Sequence, residues 1–225
     1  MTTVSLLETA RVSAEERARF RAMLPADELA AAERMSDAHL HICARAWVRA
    51  SLTREAPEVP ADAWTFERTE AGKPFVTAPS RAFEFSLSHT DGLVVVAVGG
   101  AGAGVGVDVE SLARAPDILE TVLRAFAPAE LAALRTLPAA EQPRGAVELW
   151  TVKEAYLKGL GTGISRHLDR FAVAPEDLDQ PRLRHERVWH VEEAPGWRVH
   201  TRVVGERWIV ATAVAANETI AYRPA

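Results

Sequence analysis

Cysteine, excess positive charge and long apolar runs are all scarce in this sequence. Cys43 is the only cysteine among 225 residues. The chain therefore cannot form an internal disulfide, its composition fits a reducing compartment, and we expect Cys43 to be a small buried hydrophobic residue. Lys and Arg number 26 against 31 Asp and Glu, which gives a net charge of −5. General binding of nucleic acid needs a basic surface, so that class is excluded, whereas a local basic pocket for a phosphorylated small molecule stays open.

Signals for membranes and secretion are absent as well. No stretch approaches the roughly 18 uncharged apolar residues of a membrane span, and the N-terminal segment has no basic region followed by an apolar one. We therefore expect a cytoplasmic protein without a membrane partner. The composition, 48% hydrophobic and 25% charged, is that of a globular protein and excludes a mainly disordered, collagen-like or coiled-coil chain.

The periodicity of apolar residues predicts an α+β fold in two halves, 1–102 and 103–225. Helices are predicted over 13–24, over 26–53 with a break near Ser36, over 116–137 with a break at Pro128, and over 146–160. Strands are predicted over 64–68, 83–88, 93–98, 105–109, 171–174, 188–191, 197–204 and 207–214. A glycine- and alanine-rich link joins the apolar runs 93–98 and 105–109, and this arrangement predicts a β-hairpin.

Asp108 and Glu110 end one of these apolar strands, in the segment GVDVE. Residues two apart on a strand point to the same side, so the two carboxylates share one face. Like charges this close repel unless a cation, an arginine or a shared proton stabilises them. Oxygen ligands at this spacing suit Mg²⁺, which leaves room for substrate phosphates. The alternative is a solvated strand end.

A third carboxylate lies on the predicted helix 146–160. Trp150, Glu154 and Lys158 recur every four residues, which places them on one helical face with Lys153 beside them. Glu154 can complete the shell of a cation, and Lys158 can hold a phosphate oxygen as a point charge. The alternative is an amphipathic helix with a surface Glu–Lys pair.

Two further segments can present polar groups to an anion. Lys73 follows a turn and is restricted by Pro74, while Ser88 and His89 end a predicted strand. The alternative for His89 is a capped surface histidine. A Ser–His hydrolase is poorly supported because no G-x-S-x-G elbow occurs. The glycines near residue 100 do not fit G-x-G-x-x-G and precede a strand, which argues against a dinucleotide site, and no Walker A pattern or Cys/His cluster occurs.

The order of these segments carries more information than any one of them. G-K-P-F, F-S-L-S-H, G-V-D-V-E and W-x-x-K-E-A-Y-x-K follow one another within residues 72–163. In this, the sequence resembles the Sfp-type 4′-phosphopantetheinyl transferases. The resemblance implies a monomer of two similar α+β halves in a pseudo-twofold arrangement, with coenzyme A in the cleft between them. The half 1–102 would carry the coenzyme A pocket, and the half 103–225 the metal site and the carrier-docking side.

The resemblance also implies roles for individual residues. Metal ligands for Mg²⁺, with Mn²⁺ as a second possibility, are Asp108, Glu110 and Glu154. The coenzyme A pocket comprises Lys73, Pro74, Ser88, His89 near the 3′-phosphate, Arg45, Arg49, and Lys158 on the pyrophosphate. Trp150 and Lys153 orient the site. The segment 25–33 lacks the basic residues that the family often has near the 3′-phosphate, and Arg34 or His41 is a candidate replacement.

The reaction implied is transfer of 4′-phosphopantetheine from coenzyme A to a serine of an apo acyl, polyketide or peptidyl carrier protein, with release of adenosine 3′,5′-bisphosphate. Asp108, Glu154 and Lys158 would be catalytic, and Glu154 would act as base, directly or through a water held by the metal. Association with polyketide synthases or nonribosomal peptide synthetases in secondary metabolism is the expected context. An Mg²⁺-dependent nucleotide or phosphoester hydrolase and a non-catalytic coenzyme A-binding module remain open.

An apolar stripe between the two carboxylate segments bears on the partner. Ile118, Leu119, Val122, Leu123 and Phe126 recur at helical spacing. The stripe is either ordinary core packing or a partly exposed patch on which a carrier protein docks.

Overall fold

A computed structural model of the chain describes residues 1–79, 82–162, 168–176 and 186–223. The helices are α1 (Ala14–Ala22), α2 (Ala26–Glu33), α3 (Ala38–Glu55), α4 (Ala115–Ala125), α5 (Pro128–Arg135) and α6 (Gln142–Leu160). The strands are β1 (Thr2–Glu8), β2 (Thr65–Arg68), β3 (Pro74–Ala78), β4 (Phe83–Thr90), β5 (Leu93–Gly100), β6 (Gly106–Ser111), β7 (Val173–Pro175), β8 (Glu186–Val191), β9 (Trp197–Val204), β10 (Trp208–Ala215) and β11 (Ile220–Arg223). The predicted α+β class is confirmed.

The strands form two separate sheets and a small ribbon. The first sheet has the order β11-β1-β5-β4, the second has the order β6-β10-β9-β8-β7, and β2 pairs with β3. Helix α3 packs on the first sheet and α6 on the second. Each helix thus covers the apolar face of its sheet, which is the layered arrangement expected of an α+β protein.

Local capping signals in the first half act as the sequence predicts. The Ser13 hydroxyl accepts from the Glu16 N–H, and the Glu16 carboxylate accepts from the Ser13 N–H, so α1 begins with a capping box. The break predicted near Ser36 separates α2 from α3, and the Asp37 side chain caps α3 by accepting from the Leu40 N–H at 2.9 Å.

The predicted hairpin of β5 with β6 is wrong. Strand β5 pairs with β4 and β1 in the first sheet, whereas β6 pairs with β10 in the second. The glycine-rich link, in which Gly102 and Gly104 have positive φ, carries the chain from one sheet to the other. Strand β5 is buried along nearly its whole length, so it needs partners on both edges, and β4 reaches it through the shorter turn at Gly92.

Three strands were missed by the sequence analysis, namely β1, β3 and β11. Strand β11 returns from the second half and pairs in parallel with β1, with Thr2 opposite Ile220. The sheet of the first half therefore contains the last strand of the described chain. Short strands such as β11 carry too little alternation to be recognised locally, because their partners are far away in sequence.

The two halves meet along a seam where β4 lies beside β6. The Ser86 hydroxyl on β4 accepts from the Val107 N–H on β6 at 3.0 Å. On its other side β6 lies directly against α6. A Cβ at Gly106 would lie 2.0 Å from the Ala155 carbonyl oxygen and 2.3 Å from the Gly159 nitrogen, so only glycine fits there. This close approach fixes the distance between the carboxylates of β6 and those of α6.

Gly106→Ala is expected to destabilise the fold by about 3 kcal/mol, because the methyl group would meet backbone atoms that cannot move aside. Urea unfolding at equilibrium measures this change. Gly100→Ala is the matched control, since nothing lies within 4 Å of a Cβ at that position. Equal stabilities of the two variants would contradict the packing assigned to β6.

Candidate active site

The four segments singled out in the sequence meet at the seam. Asp108 in the middle of β6 is buried, with 5% of its surface exposed. Its Oδ1 accepts from the Lys158 Nζ on α6 at 2.6 Å and from the Ser88 Oγ on β4 at 2.8 Å. Lys158 also donates to the Ser88 Oγ at 3.0 Å. Three side chains from three elements thus form one closed hydrogen-bonded cluster, and Glu154 lies one turn before Lys158 on α6.

Two carboxylate oxygens in this cluster are buried without a partner. They are Oδ2 of Asp108 and Oε1 of Glu154. Burial, then the neighbouring Asp108, raises the pKa of Glu154 to about 7, against an opposing effect of Lys158. A buried acceptor without a donor is costly, so the site is poised to accept a cation or proton at these oxygens.

Glu110 is held from two sides. Its Oε2 accepts from Arg114 Nη1 at 2.9 Å, and the Trp150 indole lies near enough to lower its pKa. Burial, then Asp108, raises the pKa of Glu110 above its usual value, and Arg114, Lys158 and Trp150 oppose that rise. Trp150 is itself stacked on Phe126, with 6.1 Å between ring centroids. Trp150 therefore lies beside Glu110, and its predicted role in orienting the site stays a prediction.

The donor set fits a divalent cation in its chemistry. Carboxylate oxygens are the ligands that Mg²⁺ takes from proteins. Asp108 raises the pKa of Glu110, and Asp108 and Glu110 both raise the pKa of Glu154. Within the described ranges, no group of three or more His, Cys, Asp or Glu side chains is already arranged around a metal position. Lys158 and Arg114 occupy two of the oxygens, and those on Asp108 and Glu154 noted above are free.

Lys153 lies outside this cluster. Its fully buried ammonium donates to both carboxylate oxygens of Glu130 at 2.7 Å and to the Phe171 carbonyl at 2.6 Å. Glu130 also accepts from the N–H groups of Ala127 and Val173. The pair thus ties α6 to the start of α5 and to β7. Sequence reasoning missed Glu130, because its only local signal is its place in the first turn after Pro128.

Lys73 and Pro74 line a cavity of about 420 Å³ that also contacts Leu87, Glu154 and Lys158. The Lys73 ammonium, however, donates to the carbonyls of Gly159 at 3.0 Å and Val105 at 3.3 Å. Burial lowers the pKa of Lys73. Its stem therefore contributes to the wall of the cavity while its charge ties the first half to the end of α6.

His89 faces a cluster of positive groups. Its ring meets that of His41 on α3 edge to face, with 5.0 Å between centroids and 86° between planes. Burial lowers the pKa of His89, followed by His41, Lys158 and Arg45, whereas Asp37 raises it. The predicted coenzyme residues His89 and Arg45 are therefore brought together, and His41 joins them.

Arg49 lies in the core and not in the cavity wall. It is 1% exposed, donates to both carboxylate oxygens of Glu28 and lies over the Phe66 ring at 4.9 Å. The pairing of Arg49 with the acidic helix α2 inside the core argues against the predicted contact with coenzyme A. Of the two suggested replacements near the 3′-phosphate, His41 contacts His89, and Arg34 is exposed at the end of α2.

The apolar stripe divides between core and surface. Ile118, Val122 and Phe126 are buried in the core of the second half, and Leu119 packs partly against it. Leu123 is 40% exposed. Helix α4 thus presents one large apolar side chain to solvent.

The predicted sequence motif extends to residue 163, which lies outside the described residues. No helix among those ranges is long and apolar enough to cross a bilayer.

Two family models match consecutive parts of the chain. One, described as the 4′-phosphopantetheinyl transferase N-terminal family, matches residues 12–100, and the other, described as the 4′-phosphopantetheinyl transferase superfamily, matches residues 104–213. The boundary between the matches falls in the glycine-rich link between the two sheets. The Asp108, Glu110, Glu154 and Lys158 side chains lie in the second match.

Curated relatives carry the same description. The 4′-phosphopantetheinyl transferase HetI of Nostoc sp. is 30% identical over 67% of this chain and 60% of its own length. The 4′-phosphopantetheinyl transferase psf-1 of Bacillus pumilus is 35% identical over 70% of this chain and 66% of its own. The first three relatives are matched over 57% to 64% of their length, which is less than two thirds.

Among solved structures, a holo-(acyl-carrier-protein) synthase from Bacillus anthracis in complex with CoA (3′,5′-ADP) aligns with a TM-score of 0.40 and 20% identity. That alignment covers 50% of this chain and 95% of the other. The two family matches together account for most of the sequence and meet where the sheets meet. The chain belongs to the 4′-phosphopantetheinyl transferase superfamily.

Proposed function

We propose that this protein transfers 4′-phosphopantetheine from coenzyme A to a serine of an apo carrier protein. The observation that carries the proposal is the buried cluster of Asp108, Ser88 and Lys158 beside Glu154, which has two unpartnered carboxylate oxygens. It lies at the seam between the two segments that match the family. The Sfp type is the form that two fused halves support.

In the proposed reaction the serine oxygen forms a bond to the β-phosphorus of coenzyme A. The bond from that phosphorus to the bridging oxygen breaks, and adenosine 3′,5′-bisphosphate leaves with the electron pair. Phosphoryl transfer of this kind depends on positioning and on neutralising the phosphate charge. A Mg²⁺ held by Asp108, Glu110 and Glu154 would supply Lewis-acid neutralisation of the pyrophosphate when bound.

The side chains of this protein supply the remaining requirements. Lys158 uses two of its three ammonium donors on Asp108 and Ser88 and is 28% exposed, so one donor can reach a phosphate oxygen. In the metal-free site Glu154 has a pKa of about 7, and its Oε1 has no hydrogen-bond donor, so this carboxylate can accept a proton. We assign it the proton of the attacking serine. The cavity beside Lys73 and Pro74 offers space for part of coenzyme A.

Release of adenosine 3′,5′-bisphosphate from coenzyme A, followed by chromatography, separates this function from its alternatives. We expect release only when apo carrier protein and Mg²⁺ are both present, and we expect EDTA to abolish it. Equal release without carrier would establish a hydrolase instead. Binding of coenzyme A without any release, by folded protein, would establish a binding module.

The carrier surface is proposed to include Leu123 on α4. Leu123→Glu is expected to raise KM for the carrier about tenfold, since it removes an exposed apolar contact and adds a charge that an acidic carrier repels. KM for coenzyme A and the melting temperature should not change. Steady-state kinetics with each substrate varied measures this.

Ile118→Glu is the buried counterpart on the same helix and should lose stability instead. If Leu123→Glu leaves KM for the carrier unchanged, the exposed side of α4 is not part of the docking surface. Acyl, polyketide and peptidyl carriers, and a role in secondary metabolism, are the proposed partners and context. A monomeric state and a cytoplasmic location remain predictions from the sequence.

A further inference from the structure

Phe126 follows the last turn of α4, and its backbone is held on both sides. The residue is 4% exposed, and its N–H donates to the Val122 carbonyl at 3.2 Å. The next residue, Ala127, donates its N–H to the buried Glu130 carboxylate at 3.0 Å. With the backbone fixed on either side and the side chain packed in the core, the Phe126 ring has little freedom to turn.

The ring of Phe126 contacts two side chains of α6. It is stacked on Trp150, with 13° between the ring planes, and the Lys153 ammonium lies over it, 4.9 Å from the ring centroid. Lys153 is in turn paired with Glu130 at 2.7 Å. A stacked aromatic pair is more favourable than the area it buries accounts for. Phe126 thus restrains the Trp150 indole from the side of α4.

The restrained indole lies beside Glu110, one of the three carboxylates of the proposed metal site. The ion-pair partner of Glu110 is Arg114, whose side chain is 53% exposed. An ion pair with so exposed a partner holds its carboxylate weakly. Trp150, by contrast, is backed by a ring in the core of the second half. The contacts from Phe126 to Trp150 to Glu110 therefore join the end of α4 to the metal site.

We propose that Phe126 is a positioning residue for the metal site, which acts by holding the Trp150 indole against Glu110 so that this carboxylate stays ready to bind a divalent cation. The inference rests on the proposed function and deepens it, because it extends the metal site to a core residue outside the carboxylate cluster. Without the ring, the indole and then the Glu110 carboxylate gain alternative rotamers. Restricting those rotamers again would cost free energy when the cation binds.

Mn²⁺ binding tests this without turnover. The electron paramagnetic resonance of the free ion reports it, with the protein alone and with coenzyme A present. Phe126→Leu is expected to weaken Mn²⁺ binding about tenfold, the size of effect that groups supporting a metal ligand have on affinity. Phe20→Leu is the matched control, because Phe20 is 5% exposed and contacts Trp47 in the first half, with 6.4 Å between centroids. Both variants should melt at a lower temperature, but Phe20→Leu should bind Mn²⁺ as the wild-type protein does.

Trp150→Leu shows whether the ring acts through the indole. In that background Phe126→Leu should cause no further loss of Mn²⁺ affinity, since the side chain that it restrains is gone. Unchanged binding by Phe126→Leu, equal weakening by Phe20→Leu, or a full tenfold loss in the Trp150→Leu background would each overturn the inference and leave the transferase proposal intact. Phe126→Met replaces Phe126→Leu if the latter does not fold. Failure of the wild-type protein to bind Mn²⁺ in either condition would overturn the metal site of the proposed function as well.

Discussion

Glu154→Gln is expected to lower kcat by roughly 10² to 10³ and, in the metal-free protein at pH 8, to raise the melting temperature. The first effect follows because the amide cannot accept the serine proton, and positioned general bases contribute about 10²–10⁴. The second follows because the folded protein holds the Glu154 carboxylate buried, with one oxygen unpartnered. Glutamine has the shape of the protonated side chain without its charge.

The sign of the pH dependence is fixed by the direction of the pKa change. Glu154 titrates at about 7 in the folded protein and at the model value of 4.5 when unfolded. Between these values the folded state binds more protons, so the stability of the apo protein falls as pH rises from 4.5 to 7. Over that range the loss is on the order of 3 kcal/mol.

Calorimetric melting in EDTA at pH 5 and pH 8 measures the gap between wild-type protein and the variant. We expect the gap to open at pH 8 and to close at pH 5. Glu120→Gln is the control on an exposed carboxylate and should show no gap. A gap of equal size at both pH values, or a kcat within threefold of wild type, would contradict the assignment of Glu154.

Substitution of Lys153 is expected to reduce mainly stability, whereas substitution of Lys158 is expected to reduce mainly turnover. Lys153→Met should lower the free energy of unfolding by about 3–5 kcal/mol, because it leaves Glu130 buried without its cation. Lys158→Met, which is partly exposed, should cost about 1 kcal/mol of stability and reduce kcat far more. Urea unfolding and steady-state kinetics on both variants measure the contrast.

Glu130→Gln combined with Lys153→Met tests the pairing itself. The double variant should be more stable than Lys153→Met alone, since no unpaired buried charge remains. With Glu130→Gln measured as well, the change in the double variant minus the sum of the two single changes gives the coupling energy. Wild-type stability in Lys153→Met together with lost turnover would instead assign Lys153 a chemical role at the site.

Signals between neighbouring residues were enough to predict the helices and part of the candidate site. The Ser13–Glu16 capping box and the cap at Asp37 act between neighbours in the chain, so they are readable without a fold. The spacing of Asp108 and Glu110 on a strand fixes which face they share. The four-residue spacing of Glu154 and Lys158 does the same on α6.

Long-range pairing was not readable in the same way. The link after β5 has the composition of a hairpin turn, yet β6 pairs with β10, which lies about 100 residues later in the chain. Arg45 and Arg49 lie one turn apart on α3, so the sequence does not distinguish them. Only the position of Glu28 in the fold shows that Arg49 is buried in an ion pair. Lys153 and Glu130 are 23 residues apart, a separation that no periodicity connects.

The central claim is transfer to a carrier protein, and intact mass measures it most directly. An apo peptidyl carrier and an apo acyl carrier are each incubated with coenzyme A, Mg²⁺ and the protein, with EDTA and Asp108→Asn as controls. We predict a gain of one phosphopantetheine on at least one carrier, lost in both controls. No gain on either carrier, by folded protein that binds coenzyme A, would contradict the claim.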